Sequence, residues 1–293
     1  MPSDVIQWFP GHMAKTRRLI KENLSQVDIV IEILDARIPY SSQNPEIRKI
    51  IGEKPLLTVL NKADLSDPVM NEEWRNYFTN AKNACIMIDC LSGKGIDKIP
   101  SAIRNLLSAK IERYKDKGML GKKLRAMIVG IPNVGKSSLI NRLSDSKKAK
   151  VENRPGVTLD KQWVGTNLGF DLMDMPGILW PKFEDQTVGE NLAITGAIKD
   201  QILDIEEIAM LLCARLRDMY PQLLISRYKL NDDDLSLDAY DIFEAIGRKR
   251  GLIMSGGVVN SRRTAEMLLN EFRNCSIGRI TLEKPKGAEK NDA

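Results

Sequence analysis

Short apolar runs alternate with segments of helical period along the first two-thirds of the chain. Ile29–Leu34, Leu56–Leu60, Ala84–Ile88, Met127–Val129 and Phe170–Met173 are apolar at nearly every position, the pattern of strands covered on both faces. Between them, Glu46–Ile51, Glu72–Phe78, Ile96–Ile111 and Lys136–Leu143 carry their apolar residues on a helical stripe. This alternation predicts a mostly parallel sheet wrapped by helices, an α/β fold. The character changes after about Asp185. There Asp204 stands three residues before Glu207 as a capping box, and apolar residues from Ile205 to Met219 follow at helical period until Pro221. Two more helices are predicted at Leu237–Lys249 and Ser261–Arg273, with Gly251, Gly256 and Gly257 between them. The expected division is an α/β domain over 1–185, including a short N-terminal segment 1–25. A small all-helical domain over 186–283 and a disordered tail over 284–293 complete it.

Composition narrows the class. With 293 residues, 43% hydrophobic and 28% charged, the chain can bury a sizeable core. No apolar stretch approaches the length of a membrane span, and Met1-Pro-Ser-Asp4 lacks a basic-then-apolar leader pattern. Cys85, Cys90, Cys213 and Cys275 form no C-x-x-C pair, so reduced cysteines in a cytoplasmic protein are expected. The net charge of +5 matters only because it is segregated. Lys15, Arg17, Arg18 and Lys21 crowd a first helix candidate, and Lys110–Arg125 is strongly basic. A third cluster runs from Arg248-Lys249-Arg250 through Arg262-Arg263, Arg273 and Arg279 to Lys286, while acid pools at Asp232–Asp234. A charge run is commonly a solvated face, but three such stretches with an acidic counterweight point to a polyanionic partner.

The chemistry begins where the run Met127–Val129 ends. Gly130-Ile-Pro-Asn133-Val134-Gly135-Lys136-Ser137-Ser138 opens a helical pattern, the strand–loop–helix setting of a phosphate-binding loop. The glycines allow a tight turn whose amides face an anion, and the helix adds the positive end of its dipole. Lys136 reaches terminal phosphates, and the Ser137 hydroxyl is a hard ligand for Mg²⁺. Asn61-Lys62-Ala63-Asp64 follows the strand run Leu56–Leu60. The Asp64 carboxylate can accept from both N1–H and the exocyclic amine of guanine, which adenine cannot supply together. Asn61 can donate and accept, tying this loop to the phosphate loop, and the Lys62 stem can lie over the flat ring. Asp174-Met-Pro-Gly177 fits an element whose aspartate holds an Mg²⁺-bound water and whose glycine amide senses the γ-phosphate. Thr158, in Pro155-Gly-Val-Thr158, would add a second hydroxyl to the ion. Asp89-Cys90-Leu91-Ser92-Gly93 fits a loop that offers a backbone N–H to guanine O6. These parts resemble those of a GTPase in shifted order, with the base loops before the phosphate loop.

Together with Trp8-Phe-Pro-Gly-His12-Met-Ala-Lys15 and Asp35-Ala-Arg-Ile-Pro39, this order resembles the circularly permuted GTPases. Among them the chain is most similar to the ribosome biogenesis GTPase A family. The resemblance spans nearly the whole chain. It implies a circularly permuted P-loop GTPase domain followed by a helical RNA- or ribosome-binding domain, with GTP/GDP and Mg²⁺ as ligands. It implies late assembly of the large ribosomal subunit through its precursor and ribosomal RNA, no membrane, and a monomer away from the ribosome. Where many small GTPases carry a water-orienting Gln, this chain has Ile178. The resemblance offers His12 for catalysis, presented by a Pro10-Gly11 turn; a lone histidine is otherwise a surface or capping residue. Asn133 matches the asparagine that helps hold K⁺ in potassium-activated GTPases, and is otherwise a turn former. A small-molecule P-loop kinase would leave Asn61–Asp64 unexplained. A passive RNA-binding protein with GTP as a bound ligand is the other alternative.

Overall fold

A computed structural model describes residues 10–119, 121–144, 162–180 and 183–285, with side chains from residue 14 onward. Thr158 and the tail beyond residue 285 lie outside the described residues. Among the described residues six strands form one sheet in the order β3-β2-β1-β4-β6-β5. They are β1 (Ile29–Asp35), β2 (Leu56–Asn61), β3 (Asn83–Met87), β4 (Leu124–Val129), β5 (Gln162–Val164) and β6 (Phe170–Asp174). All neighbours pair in parallel except β5, which runs antiparallel at the edge beside β6. β1 and β2 are buried at every position, as continuous apolar runs require in a sheet covered twice.

One face packs on α1 (Pro10–Asn23), α2 (Pro45–Ile51) and α3 (Pro68–Phe78), through Val30, Leu34, Leu56, Leu60 and Met127. The alternate residues Ile29, Ile31, Ile33, Leu57, Val59 and Ile128 face α4 (Ile99–Leu106) and α6 (Lys136–Leu143). The predicted helix Ile96–Ile111 is broken. A 3₁₀ turn covers Ile96–Lys98, α4 starts at Ile99, and α5 (Ser108–Asp116) follows Leu107. Pro100 explains the first break, since it has no N–H to continue a helix begun at Ile96 but fits a first turn.

The second region comprises α7 (Gln186–Ile194), α8 (Ile205–Met219), α9 (Pro221–Tyr228), α10 (Asp232–Leu235), α11 (Ala239–Lys249) and α12 (Ser261–Arg273). α8 lies against α7, α9, α11 and α12, burying Leu212, Cys213 and Leu216 against Phe243, Leu268 and Phe272. Asp204 caps α8 through the amides of Glu206 and Glu207, whereas the reciprocal capping box is made by Asn231 and Asp234. The apolar cluster of the α4/α6 face is continuous with this helical core, so the two regions share one interior.

β1 and β4 are neighbours, but the chain leaves them in opposite directions, β1 toward β2 and β4 toward β6. Their following loops therefore diverge and leave a crevice at the carboxyl edge, where ligands of open α/β sheets bind.

Candidate functional site

The loop 130–135 and the first turn of α6 fill that crevice. A Cβ at Gly130 would come within 2.7 Å of the Ile33 side chain and 2.8 Å of its carbonyl oxygen, so only glycine lets β4 leave the sheet there. Gly135 has φ +99°, and a Cβ on it would fall 2.2 Å from the Asn61 amide nitrogen. α6 starts immediately afterwards with no side-chain cap on its first-turn amides. An uncapped helix start behind a glycine turn is an anion site built from backbone. Lys136 is buried and its ammonium pairs with Asp174, at the end of β6. Burial pushes the Asp174 carboxyl above the ordinary value, and Lys136 opposes that. Ser137 and Asp174 are hard oxygen donors on adjoining elements, a set that fits Mg²⁺. No group of three His, Cys, Asp or Glu side chains could hold a metal among the described residues. An ion here would therefore take its remaining ligands from phosphates and water.

The base loops close the other wall. Asn61 donates from Nδ2 to Val134 O at 2.7 Å and accepts at Oδ1 from Cys90 N at 3.0 Å. One amide thus joins the loops 61–64, 89–93 and 130–135. Lys62 takes φ +62°, and its Nζ reaches Asp35 Oδ2 at 2.8 Å. Asp35 is the β1 neighbour of Asn61, and Arg37 bonds it through Nε at 3.0 Å and Nη2 at 2.7 Å. Burial would raise the Asp35 carboxyl, but Arg37 and Lys62 hold it far below the usual carboxylate range. Asp64 is exposed, and no protein hydrogen bond engages its carboxylate among the described residues. The 89–93 loop departs from expectation. Cys90 N is spent on Asn61, Leu91 N donates to Asp89 Oδ1 at 2.7 Å and Ser92 N to Asp89 Oδ2 at 2.9 Å. Of the amides expected at guanine O6, that of Leu91 is turned onto the Asp89 carboxylate, which closes the turn on itself, and that of Cys90 is turned onto Asn61. Arg142, near the end of α6, holds this loop from Nε to Cys90 O at 3.0 Å and from Nη2 to Leu91 O.

Past Asp174, Gly177 approaches the phosphate loop closely, a Cβ there lying 3.2 Å from Gly130 O. Ile178 is buried with the α1/α2 cluster, so no polar side chain follows Gly177 to orient a water. Leu179 and Trp180 are buried in the core shared with the helical region.

The family described as "50S ribosome-binding GTPase" matches residues 125–240. Over 285 residues the sequence is 48% identical to "Ribosome biogenesis GTPase A" of Priestia megaterium, covering 97% of this chain and 98% of that one. This chain belongs to the ribosome biogenesis GTPase A family. It is a P-loop GTPase. The fold is shared with GDP-bound TM YlqF, at TM-score 0.61 and 24% identity over 91% of this chain and 99% of that one. GNP-bound YlqF from T. maritima gives TM-score 0.60 and 23% identity over 93% and 99%.

Other residues singled out in this GTPase fall as follows. Pro10 and Gly11 do not form a separate turn; they open α1, with His12 in its first turn, because proline suits the first helical position. α1 runs back along the sheet, and Arg17 pairs with Glu46 in the first turn of α2 at 3.1 Å. His12, five residues earlier, therefore belongs to the end of α1 nearer the carboxyl edge. Asn133 takes φ +64°, and its Nδ2 donates to Gly196 O at 2.9 Å, just beyond α7. The third basic cluster is divided. Arg273 pairs with Asp200 at 2.7 Å and caps α7 at Ile194 O, and Arg279 bonds the 61–66 loop, so both are internal braces. Arg250 lies over the Tyr228 ring at 5.1 Å. Lys249, Arg262 and Arg263 remain on the surface. No local pattern marks Arg142 or Arg279 as braces of the site, because the loops they hold lie far away along the chain.

Proposed function

We propose that this GTPase binds GTP between the phosphate loop and the 61–64 loop, docks on the large ribosomal subunit precursor through ribosomal RNA, and leaves after hydrolysis, promoting late maturation. Asp64 reads guanine by accepting from N1–H and the exocyclic amine, with Asn61 holding its loop and the Lys62 stem against the ring. The amides of Val134, Gly135, Lys136, Ser137 and Ser138 receive the phosphates, and Lys136 exchanges Asp174 for a phosphate oxygen. Ser137, Asp174 and Thr158 would hold Mg²⁺, which supplies charge neutralisation between the β- and γ-phosphates. Gly177 N–H registers the γ-phosphate. Asn133 would serve K⁺, and His12 would approach the attacking water from the start of α1. The protein works in the cytoplasm as a monomer between rounds.

The observation that carries this reading is Asn61. Its single amide ties the 61–64 loop to the phosphate loop and to the 89–93 loop, so the elements that would hold base and phosphates form one wall. The helical region, hydrogen-bonded to both loops, then presents Lys249, Arg262 and Arg263 to RNA. Density-gradient sedimentation tests it. Binding to the precursor should occur with a non-hydrolysable GTP analogue, fall with GDP, and weaken steeply with salt. Reversal of Lys249, Arg262 and Arg263 to Glu should abolish it and leave intrinsic hydrolysis intact. Equal binding with GDP and analogue would overturn the GTP-dependent docking.

A further inference from the structure

The chain after α12 turns back across the α/β unit, and what it touches there is the base loop. Ile277, Ile280, Thr281 and Leu282 of this strap are buried. Ile280 N donates to Leu65 O at 3.1 Å, Leu282 N to Arg37 O at 2.8 Å, and Thr281 Oγ1 accepts from Asp67 N at 3.1 Å. Arg279 supplies the centre of the contact. Its Nη2 donates to Ala63 O at 2.7 Å and its Nε to Ser66 O at 2.9 Å. Glu283 pins the end. Its carboxylate accepts from Tyr40 N at 2.7 Å, from Asn191 Nδ2 at 2.9 Å, and from the Ser41 amide and hydroxyl.

The carbonyls on both sides of Asp64, at Ala63, Leu65 and Ser66, therefore all point into the strap. Asp64 itself makes no protein hydrogen bond among the described residues, so apart from the charge of neighbouring Lys62 its direction is set by the backbone that carries it. A planar guanidinium that forks between two carbonyls sets their relative orientation as a point-charge ammonium cannot. We infer that Arg279 is a positioning residue for base recognition: through the strap, the helical region fixes how Asp64 is presented to guanine, and base affinity is linked to seating of the strap. This rests on the assignment of Asn61–Asp64 to guanine. The linkage is reciprocal, so a bound guanine nucleotide tightens the strap as much as the strap tightens the nucleotide.

The test uses the full chain and calorimetric titration with GTP, GDP and ITP, whose base lacks the exocyclic amine. Arg279→Gln should weaken GTP and GDP together by about tenfold, as loss of a charge-assisted fork would, and narrow the preference for GTP over ITP. Arg279→Lys should not restore the preference. In turnover assays the loss should appear in KM rather than kcat. A brace that merely supports the fold would lower the unfolding temperature and leave the GTP/ITP ratio untouched. Asp64→Asn serves as the control and should shift binding toward xanthine nucleotides. If it does not, the guanine assignment itself fails. If it does, while Arg279→Gln keeps wild-type affinity and selectivity, the role of the strap is refuted. Should Arg279→Gln not fold, hydrogen exchange on the wild-type chain decides. GTP should slow exchange at the Ile280 and Leu282 amides more than at amides of α11, and equal effects would refute the linkage.

Discussion

Replacing Asp35 by Asn should be among the most damaging single changes outside the phosphate loop. The Asp35 side chain is 4% exposed and faces Arg37 at 3% and Lys62 at 24%. It accepts from Arg37 N, Nε and Nη2 and from Lys62 Nζ, all between 2.7 and 3.0 Å. The asparagine keeps the shape but removes the charge, and it turns an NH₂ toward at least one cationic donor. Removing one partner of a buried ion pair costs roughly 3–5 kcal/mol, because the surviving charge stays desolvated. Arg37 cannot escape to water, since it lies over the Phe272 ring at 5.4 Å; Lys62, being partly exposed, contributes the smaller share. Urea unfolding of wild type and Asp35→Asn should show a lower midpoint with an unchanged slope. Adding Arg37→Met should recover much of the loss, because removing both charges is far milder than removing one. The sign with pH is also fixed. A carboxyl depressed in the folded state contributes stability that is complete above its ordinary value of 3.8 and lost as pH falls through the folded value, so the wild-type advantage should persist down to about that pH. A loss below about 1 kcal/mol, or a double variant whose losses simply add, would refute the argument.

Three further outcomes are expected. Hydrolysis should run faster in potassium than in sodium at equal ionic strength, because Gly196 O holds the Asn133 amide nitrogen and leaves Oδ1 as the hard oxygen; an Asn133→Ala variant that keeps the potassium response would remove that residue from the mechanism. His12→Ala should bind GTP normally and lose most ribosome-stimulated turnover, whereas a parallel loss of GTP affinity would make His12 structural. Burial pushes the Glu283 carboxyl above its ordinary 4.5, against the pull of Ser41, Tyr40 and Asn191. Folding then takes up a proton above that value, and stability falls as pH rises through the window. Glu283→Gln should flatten that slope in unfolding midpoints, and an unchanged slope would count against the shift.

What the sequence made legible follows from range. β1 and β2 were readable because a strand buried on both faces is apolar at nearly every step, Glu32 and Thr58 being the interruptions within the runs. β5 was not, since Gln162 and Trp163 are exposed on a three-residue edge strand with no run to detect. α7 was missed too, its period blurred because Val188, Gly189, Asn191, Leu192 and Ala193 are all buried. Lys136, Asn61 and Asp174 stood out because one short motif fixes both their chemistry and their backbone. The arginines behind them did not. Arg142 reaches a loop 52 positions away and Arg279 a carbonyl 213 positions away, and nothing local distinguishes such residues from surface charge. For the same reason the third basic cluster was overcounted. Arg273 and Arg279 contribute to the net charge but spend their donors inside the fold.

The shifted order has a mechanical consequence that depends on packing rather than on loop length. In this chain Asp174–Gly177, the segment proposed to sense the γ-phosphate, is followed at once by Ile178, Leu179 and Trp180, all buried. Ile178 lies in the α1/α2 cluster, while Leu179 and Trp180 join the core that continues into α7 and α8. A displacement at Gly177 therefore meets close-packed side chains and is handed on rather than absorbed by a slack linker. Among the other contacts that anchor the helical region to the cleft are Asn133 with Gly196 on the phosphate side and Arg279 with Ala63 on the base side. On the proposed function the base is common to GTP and GDP, so the Arg279 contact would be indifferent to hydrolysis. Only the contacts at Gly177 and Asn133 lie where the γ-phosphate is gained or lost. On the proposed function, a shift of the helical region would carry Lys249, Arg262 and Arg263 into or out of register with the basic N-terminal helix, and gripping RNA with both surfaces multiplies affinity only while they are in register.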